Sequence, residues 1–268
     1  MSKNNIKKCL TIAGSDCSGG AGIQADLKTF SAHRVFGMSV IVSVVAENTS
    51  RVISIYNMND EIISEQIDAV FEDIGADAVK IGMLPNVSIM KKVAEKLNFY
   101  NPQYIVTDPV MVAKGGSALM EPKALDAMKR IIIPLSFILT PNIPEAEALT
   151  GIEIRNISDM KKVARIIKDM GAANVLLKGG HLEGDAADIL FDGSDFFEYR
   201  HKRINTKNTH GTGCTLSSAI AANLANGKSV RSAVENAKNY VTGAIYDSLN
   251  IGNGHGPTNH FHEYYKFN

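Results

Sequence analysis

Two hydrophobic periods alternate along this chain. Runs of consecutive apolar, often β-branched residues at Cys9–Ala13, Val40–Ala46, Ala78–Ile81, Tyr104–Thr107, Phe137–Thr140 and Asn174–Leu177 predict strands. Several are apolar at successive positions, which suits strands covered on both faces. Between them the period lengthens to that of a helix. Ile63, Ile67, Val70, Phe71 and Ile74 form one stripe. Ile89, Val93 and Leu97 form a second, and Met160, Val163, Ile167 and Met170 a third. Ser158 is the expected N-cap of that third helix. Strand–helix alternation implies an α/β chain with a mainly parallel sheet and helices on both faces. Ala187–Phe191 and Phe196–Tyr199 flank Asp192-Gly193-Ser194-Asp195, which predicts one late antiparallel hairpin. After Thr215 the pattern is helical almost to the end. No linker or repeat interrupts residues 1–268, so a single domain is expected.

In open parallel sheets, ligands bind beyond the carboxyl ends of the strands. The polar and glycine-rich clusters fall there: Gly14-Ser15-Asp16, Glu47-Asn48-Thr49, Gly82-Met83, Asp108-Pro109-Val110, Pro141-Asn142 and Lys178-Gly179-Gly180-His181. Functional chemistry on one rim is the expectation.

Composition narrows the function. The 268 residues are 45% hydrophobic and carry zero formal net charge, so no basic surplus exists to neutralise a nucleic-acid backbone. The three cysteines, Cys9, Cys17 and Cys214, are odd in number and widely spaced, with no C-x-x-C zinc pattern. A reducing cytoplasm is the expected compartment. The apolar runs Cys9–Ala13 and Ile131–Leu139 are too short for a signal peptide or a membrane span.

The most informative segment is Asn208-Thr209-His210-Gly211-Thr212-Gly213-Cys214-Thr215-Leu216, followed by a small apolar helical run. Glycines before a helix let N–H groups converge, and the helix dipole adds positive potential there. Gly211, Thr212, Gly213 and Cys214 are therefore read as an anion hole. Cys214 stands where a thiolate is best stabilised, although free cysteine also packs at helix starts as a small apolar residue. An anion cradle holding an acid–base group points to phosphoryl transfer to a hydroxyl.

Other clusters carry two readings each. Gly19-Gly20-Ala21-Gly22 before Asp26 is a close backbone approach to a ligand or a flexible turn; it lacks the G-x-G-x-x-G spacing of a dinucleotide site. Asp108 could hold Mg²⁺ through water or simply start an Asp-Pro turn. Lys114-Gly115-Gly116 is a flap or an exposed loop. Asn142-Ile143-Pro144-Glu145 reads as a capping box, with Glu145 near a metal and Asn142 near phosphates as a compatible second role. Lys178 could contact transferring phosphates or merely end a strand. Gly227-Lys228-Ser229 resembles half a Walker A loop, but the required earlier glycine is Ala222; a helix end followed by an N-cap at Ser229 fits better. His255, His260 and His262 have no matching ligand set, so surface or capping roles are expected.

Assembled, these residues resemble the hydroxymethylpyrimidine/phosphomethylpyrimidine kinases of thiamine synthesis, within the ribokinase-like superfamily. The likeness rests on Thr11–Asp16, Ser18–Phe30, Lys80–Leu84, Thr140–Glu145, Lys178–His181 and Asn208–Thr215, and covers essentially the whole chain. Cys214 after Gly-Thr-Gly is its sharpest mark, because many sugar kinases of the superfamily carry aspartate there. The resemblance implies a ribokinase-like three-layer αβα fold, ATP and Mg²⁺ as cofactors, and a homodimer. It implies that Gly14, Ala21, Asp26, Glu47, Met83 and Val110 line a pyrimidine pocket. Asp108 and Glu145 would serve Mg²⁺, and Asn142, Lys178 and Thr212 the nucleotide. Glu47 departs from the family's usual glutamine: it accepts hydrogen bonds when ionised and can donate only when protonated. The expected chemistry is phosphorylation of the pyrimidine hydroxymethyl group and then of its monophosphate, with Cys214 accepting the hydroxyl proton in the first step. Pyridoxal kinase is the nearest rival, and a non-catalytic pyrimidine-binding protein a more distant one.

Overall fold

The computed structural model describes residues 6–113, 115–180 and 184–265; Lys114 and His181 lie outside the described residues. Nine strands form one sheet in the order β3-β2-β1-β4-β5-β6-β7-β8-β9. They are β1 (Lys8–Asp16), β2 (Phe36–Glu47), β3 (Val52–Asn57), β4 (Ala78–Ile81), β5 (Ile105–Thr107), β6 (Ile138–Leu139), β7 (Val175–Leu177), β8 (Ala186–Phe191) and β9 (Phe196–His201). Pairing is parallel from β2 through β1, β4, β5 and β6 to β7. β8 and β9 add the expected hairpin, closed where Asp192 accepts from the N–H groups of Ser194 and Asp195.

A second antiparallel edge, β2 with β3, was not expected. β3 reads V-I-S-I-Y-N and is mostly exposed, so it lacks the buried apolar run that marks the other strands. β2 is also longer than its apolar centre, and the chain after Tyr246 is largely turns and loops rather than helix.

Successive sheet residues point to opposite faces, and both faces are covered. Leu10, Val79, Ile105, Leu139 and Val175 face one core with α2 (Asp60–Asp73), α3 (Val87–Tyr100), α4 (Ala124–Ala127), α5 (Ile143–Thr150) and α6 (Ile157–Asp169). Their neighbours Cys9, Ala78, Val106, Ile138 and Leu176 face the other, with α1 (Gly22–Ala32), α7 (Thr212–Ala225) and α8 (Val230–Tyr246). The result is the expected three-layer arrangement. α7 is buried on almost every side, which its run of Ala, Leu, Ile and Ser makes possible.

The N-cap of α6 is Asn156, not Ser158: its side chain accepts from the Asp159 N–H. Ser229 caps α8 as expected. His260 is not a surface residue. It is buried against Thr215, 3.1 Å from the hydroxyl, and burial pulls its imidazole down to about 4.

Candidate active site

A cavity of about 1150 Å³ opens along the carboxyl ends of the central strands. One end is built by the start of α7. Gly211 is its N-cap, with φ +78°, and a Cβ there would sit 1.8 Å from the Gly20 carbonyl oxygen. Only glycine satisfies both the left-handed backbone and that approach. Among the described residues no side chain caps this helix; the Thr212 N–H reaches the Thr209 carbonyl oxygen at 3.4 Å, and the positive end of the helix dipole stands at the cavity. A Cβ on Gly213 would lie 3.2 Å from Asp108 Oδ2 and 3.4 Å from Lys178 Nζ, so the helix start abuts that charged pair.

Asp108 follows β5 and Lys178 follows β7. Lys178 Nζ donates to Asp108 Oδ1 at 2.7 Å, and Thr140 Oγ1 donates to the same oxygen at 3.3 Å. Burial disfavours the Lys178 ammonium, but Asp108 and Glu145 outweigh it and hold its pKa above the ordinary value. The capping box is present: Glu145 N donates to Asn142 Oδ1 at 2.9 Å and Asn142 N to Glu145 Oε2 at 2.8 Å. Burial, with Asp108 nearby, pushes Glu145 up to about 7, against the pull of Lys178.

Cys214, in the first turn of α7, lines the same cavity. Its thiol is pushed up to about 11, first by burial and further by Asp26 and Asp108, while Lys80 and the Gly22 N–H oppose this. Of the two ways in which Cys214 could take a hydroxyl proton, as a thiolate or through hydrogen bonding, burial works against the first. The helix start and one lysine do not overcome desolvation and two carboxylates, so the free protein carries a thiol.

At the other end Gly14, Ala21, Glu47, Met83 and Val110 all line the cavity. Asp26 does not. It is completely buried in an ion pair with Lys80 (2.8 Å) and accepts from Thr11 Oγ1 (2.6 Å) and Ser218 Oγ (2.7 Å). One turn into α1, its side chain faces β1 and β4 rather than the cavity, which it reaches only through Lys80. Gly116 lines the same cavity beside a turn closed by the Val112–Ala118 bridge.

Sequence reasoning missed a second pair. His210 Nε2 lies 2.9 Å from Asp16 Oδ2, across 194 residues of chain, and both are buried. Asp16 also accepts from the N–H groups of Ser18, Gly20 and Ala21. Burial opposes its ionisation, but these donors, His210 foremost, hold its carboxyl below the usual range. An ionised carboxylate only accepts, so Nε2–H is the donor. Asp16 stood at a recognised strand end and His210 beside the glycine motif; nothing in their spacing shows that they meet.

A glycine-rich helix start and a lysine–carboxylate pair around one cavity, at the strand ends of this sheet, fit a ribokinase-like phosphotransferase. The chain belongs to the phosphomethylpyrimidine kinase family, whose model matches residues 16–259. It is 50% identical over 259 residues to a hydroxymethylpyrimidine/phosphomethylpyrimidine kinase of Bacillus subtilis, covering 96% of each chain. The crystal structure of a phosphomethylpyrimidine kinase from Clostridium difficile is 50% identical, with TM-score 0.81 over 89% of this chain and 99% of that one. The pyridoxal kinase from Staphylococcus aureus, in complex with AMP-PCP and pyridoxal, is 37% identical, with TM-score 0.90 over 97% and 96%.

Proposed function

We propose that this kinase phosphorylates 4-amino-5-hydroxymethyl-2-methylpyrimidine and then its monophosphate, each from ATP, in thiamine biosynthesis. The observation that carries this reading is the placement of Cys214 in the first turn of α7, lining the same cavity as Gly22, Asp108 and Lys178. In the first transfer the hydroxymethyl oxygen bonds to the γ-phosphorus, the bridging P–O bond to ADP breaks, and the hydroxyl proton passes to Cys214. Only the thiolate can take that proton, so this step draws on a minor form at neutral pH. The N–H groups of Gly211 to Cys214 and Lys178 offset charge on the moving phosphoryl group. In the second transfer a phosphate oxygen attacks, and it is already anionic.

Gly14, Ala21, Glu47, Met83 and Val110 hold the ring, and Asp26 acts from behind through Lys80. Asn142 and Thr212, with Lys178, hold the nucleotide. Asp108 and Glu145 suit Mg²⁺. Lys178 and Thr140 engage one Asp108 oxygen and leave Oδ2 toward Gly213, and a cation near both carboxylates would relieve the repulsion that raises Glu145. When bound, Mg²⁺ neutralises phosphate charge, keeping part of its water shell.

Val44 and Tyr56 on one face of the β2–β3 edge and Ile53 and Ile55 on the other leave apolar side chains exposed there, which supports a homodimer; light scattering at micromolar concentration tests it. Among the described residues no helix is long and apolar enough to cross a membrane. The functional test is a panel of hydroxymethylpyrimidine, its monophosphate, pyridoxal and ribose with Mg-ATP. Turnover of both pyrimidines above the other two is expected. Turnover of pyridoxal alone would reassign the enzyme to the likeness it bears to pyridoxal kinases.

A further inference from the structure

The turn between β1 and α1 and the loop before α7 interlock beside the cavity. Asp16, the last residue of β1, is the hub. Its Oδ1 accepts from Ser18 N, and its Oδ2 from Gly20 N, Ala21 N and His210 Nε2. A Cβ on Gly20 would lie 2.3 Å from His210 Cδ2, so the imidazole rests directly on that glycine. Gly211, the next residue, meets the same turn: a Cβ there would stand 3.2 Å from the Ala21 Cα. Gly211 is the N-cap of α7, and Cys214 follows three residues on, on the same face of the helix. The Gly22 N–H, the first of α1, donates to the Cys214 sulfur. One imidazole therefore ties the turn that ends at Gly22 to the helix start that carries Cys214. The His210 main chain has anchors of its own. Its N–H donates to the Gly256 carbonyl oxygen at 3.1 Å, and its carbonyl accepts from Thr258 N at 3.4 Å. The path of this loop thus does not depend on the ring.

We infer that His210 is a positioning residue for the first phosphoryl transfer: its bond to Asp16 clamps the Gly20–Gly22 turn to the start of α7 and so holds the Gly22 N–H on the Cys214 sulfur. An amide N–H aimed at sulfur favours the thiolate over the thiol, and only the thiolate takes the hydroxyl proton. His210 acts on that sulfur through Asp16 and the turn. Without the clamp the turn relaxes away from Cys214. The second transfer uses an anionic phosphate oxygen and gives no hydroxyl proton to Cys214, so it is nearly indifferent to the clamp. A purely structural role, or a change in ring binding, would weaken both transfers alike, because both use the same ring and the same helix start. This inference deepens the proposed function and rests on it.

The test measures kcat on hydroxymethylpyrimidine and on its monophosphate separately, in the wild type, His210→Leu and His210→Gln. Leucine fills the place of the ring without a donor, whereas glutamine carries an N–H donor to a reach similar to that of Nε2. His210→Leu should lower the first transfer about 10–100-fold and the second less than about threefold. His210→Gln should recover most of the first. In a Cys214→Ala background, adding His210→Leu should lower the first transfer no further than it lowers the second, because the two residues act as one unit. Should the leucine variant fail to fold, His210→Asn, too short to reach Asp16, is judged by the same split. Equal losses in both transfers, no recovery with glutamine, or full additivity with Cys214→Ala overturns the inference alone. Turnover of pyridoxal but of neither pyrimidine overturns the functional reading and this inference with it.

Discussion

Two of the lysine–aspartate pairs at this sheet, Lys80–Asp26 and Lys178–Asp108, differ in their surroundings. Lys80–Asp26 is sealed, with both side chains 0% exposed, and Thr11 and Ser218 supply further hydrogen bonds. Lys178–Asp108 is as short, at 2.7 Å, but its lysine is 14% exposed and both residues line the cavity. A sealed pair that loses one partner leaves an uncompensated charge in the core, whereas a pair at a cavity wall can exchange its partner for water or a ligand. The contrast fits Lys80–Asp26 to holding α1 and α7 against the strands and, on the proposed function, Lys178–Asp108 to meeting phosphate.

The largest expected effect breaks that contrast at the sealed pair. Lys80→Met should cost about 3–5 kcal/mol of stability, read by urea unfolding. Lys178→Met should lower kcat/KM about 10²–10³-fold and cost no more than about 1–2 kcal/mol, because cavity water can reach Asp108. Similar stability losses in both variants would erase the distinction. Gly213→Ala sharpens it: the new methyl would crowd Asp108 and Lys178 at a helical position where alanine is otherwise favourable. Activity should fall about tenfold or more while stability stays within about 1 kcal/mol of the wild type.

The smallest effect concerns Glu145. A carboxyl whose pKa is raised in the fold binds its proton more tightly there than when unfolded. It therefore removes stability as pH rises from its ordinary 4.5 to about 7, and the deficit is full above 7. Glu145→Gln, which keeps the capping acceptor, should gain about 1–3 kcal/mol above pH 7 and nothing below pH 4.5. Thermal unfolding across that range checks the sign.

The sequence periods made the parallel core legible, because consecutive apolar residues mark strands covered on both faces. β3 escaped because its apolar residues face solvent. At the site, Gly211, Lys178, Asp108 and the Asn142–Glu145 box were legible because each sits where a strand ends or a helix begins. Asp26 was misplaced, since its position one turn into α1 does not reveal which way that turn faces. The Asp16–His210 contact was invisible, because its partners meet only when β1 and the loop before α7 are brought together. The state of Cys214 was left open for a related reason. A helix start argues for a thiolate, but Asp26, Asp108 and burial enter only through the fold.

The account turns on Cys214 acting as the proton acceptor for an alcohol but not for a phosphate. Cys214→Ala, assayed on hydroxymethylpyrimidine and on its monophosphate separately, tests this directly. The first transfer should fall about 10²–10⁴-fold and lose the rise of about tenfold per pH unit that a thiol near 11 imposes on the wild type, while the second falls far less. Equal losses in both transfers, or a first-step loss below about tenfold, would contradict it.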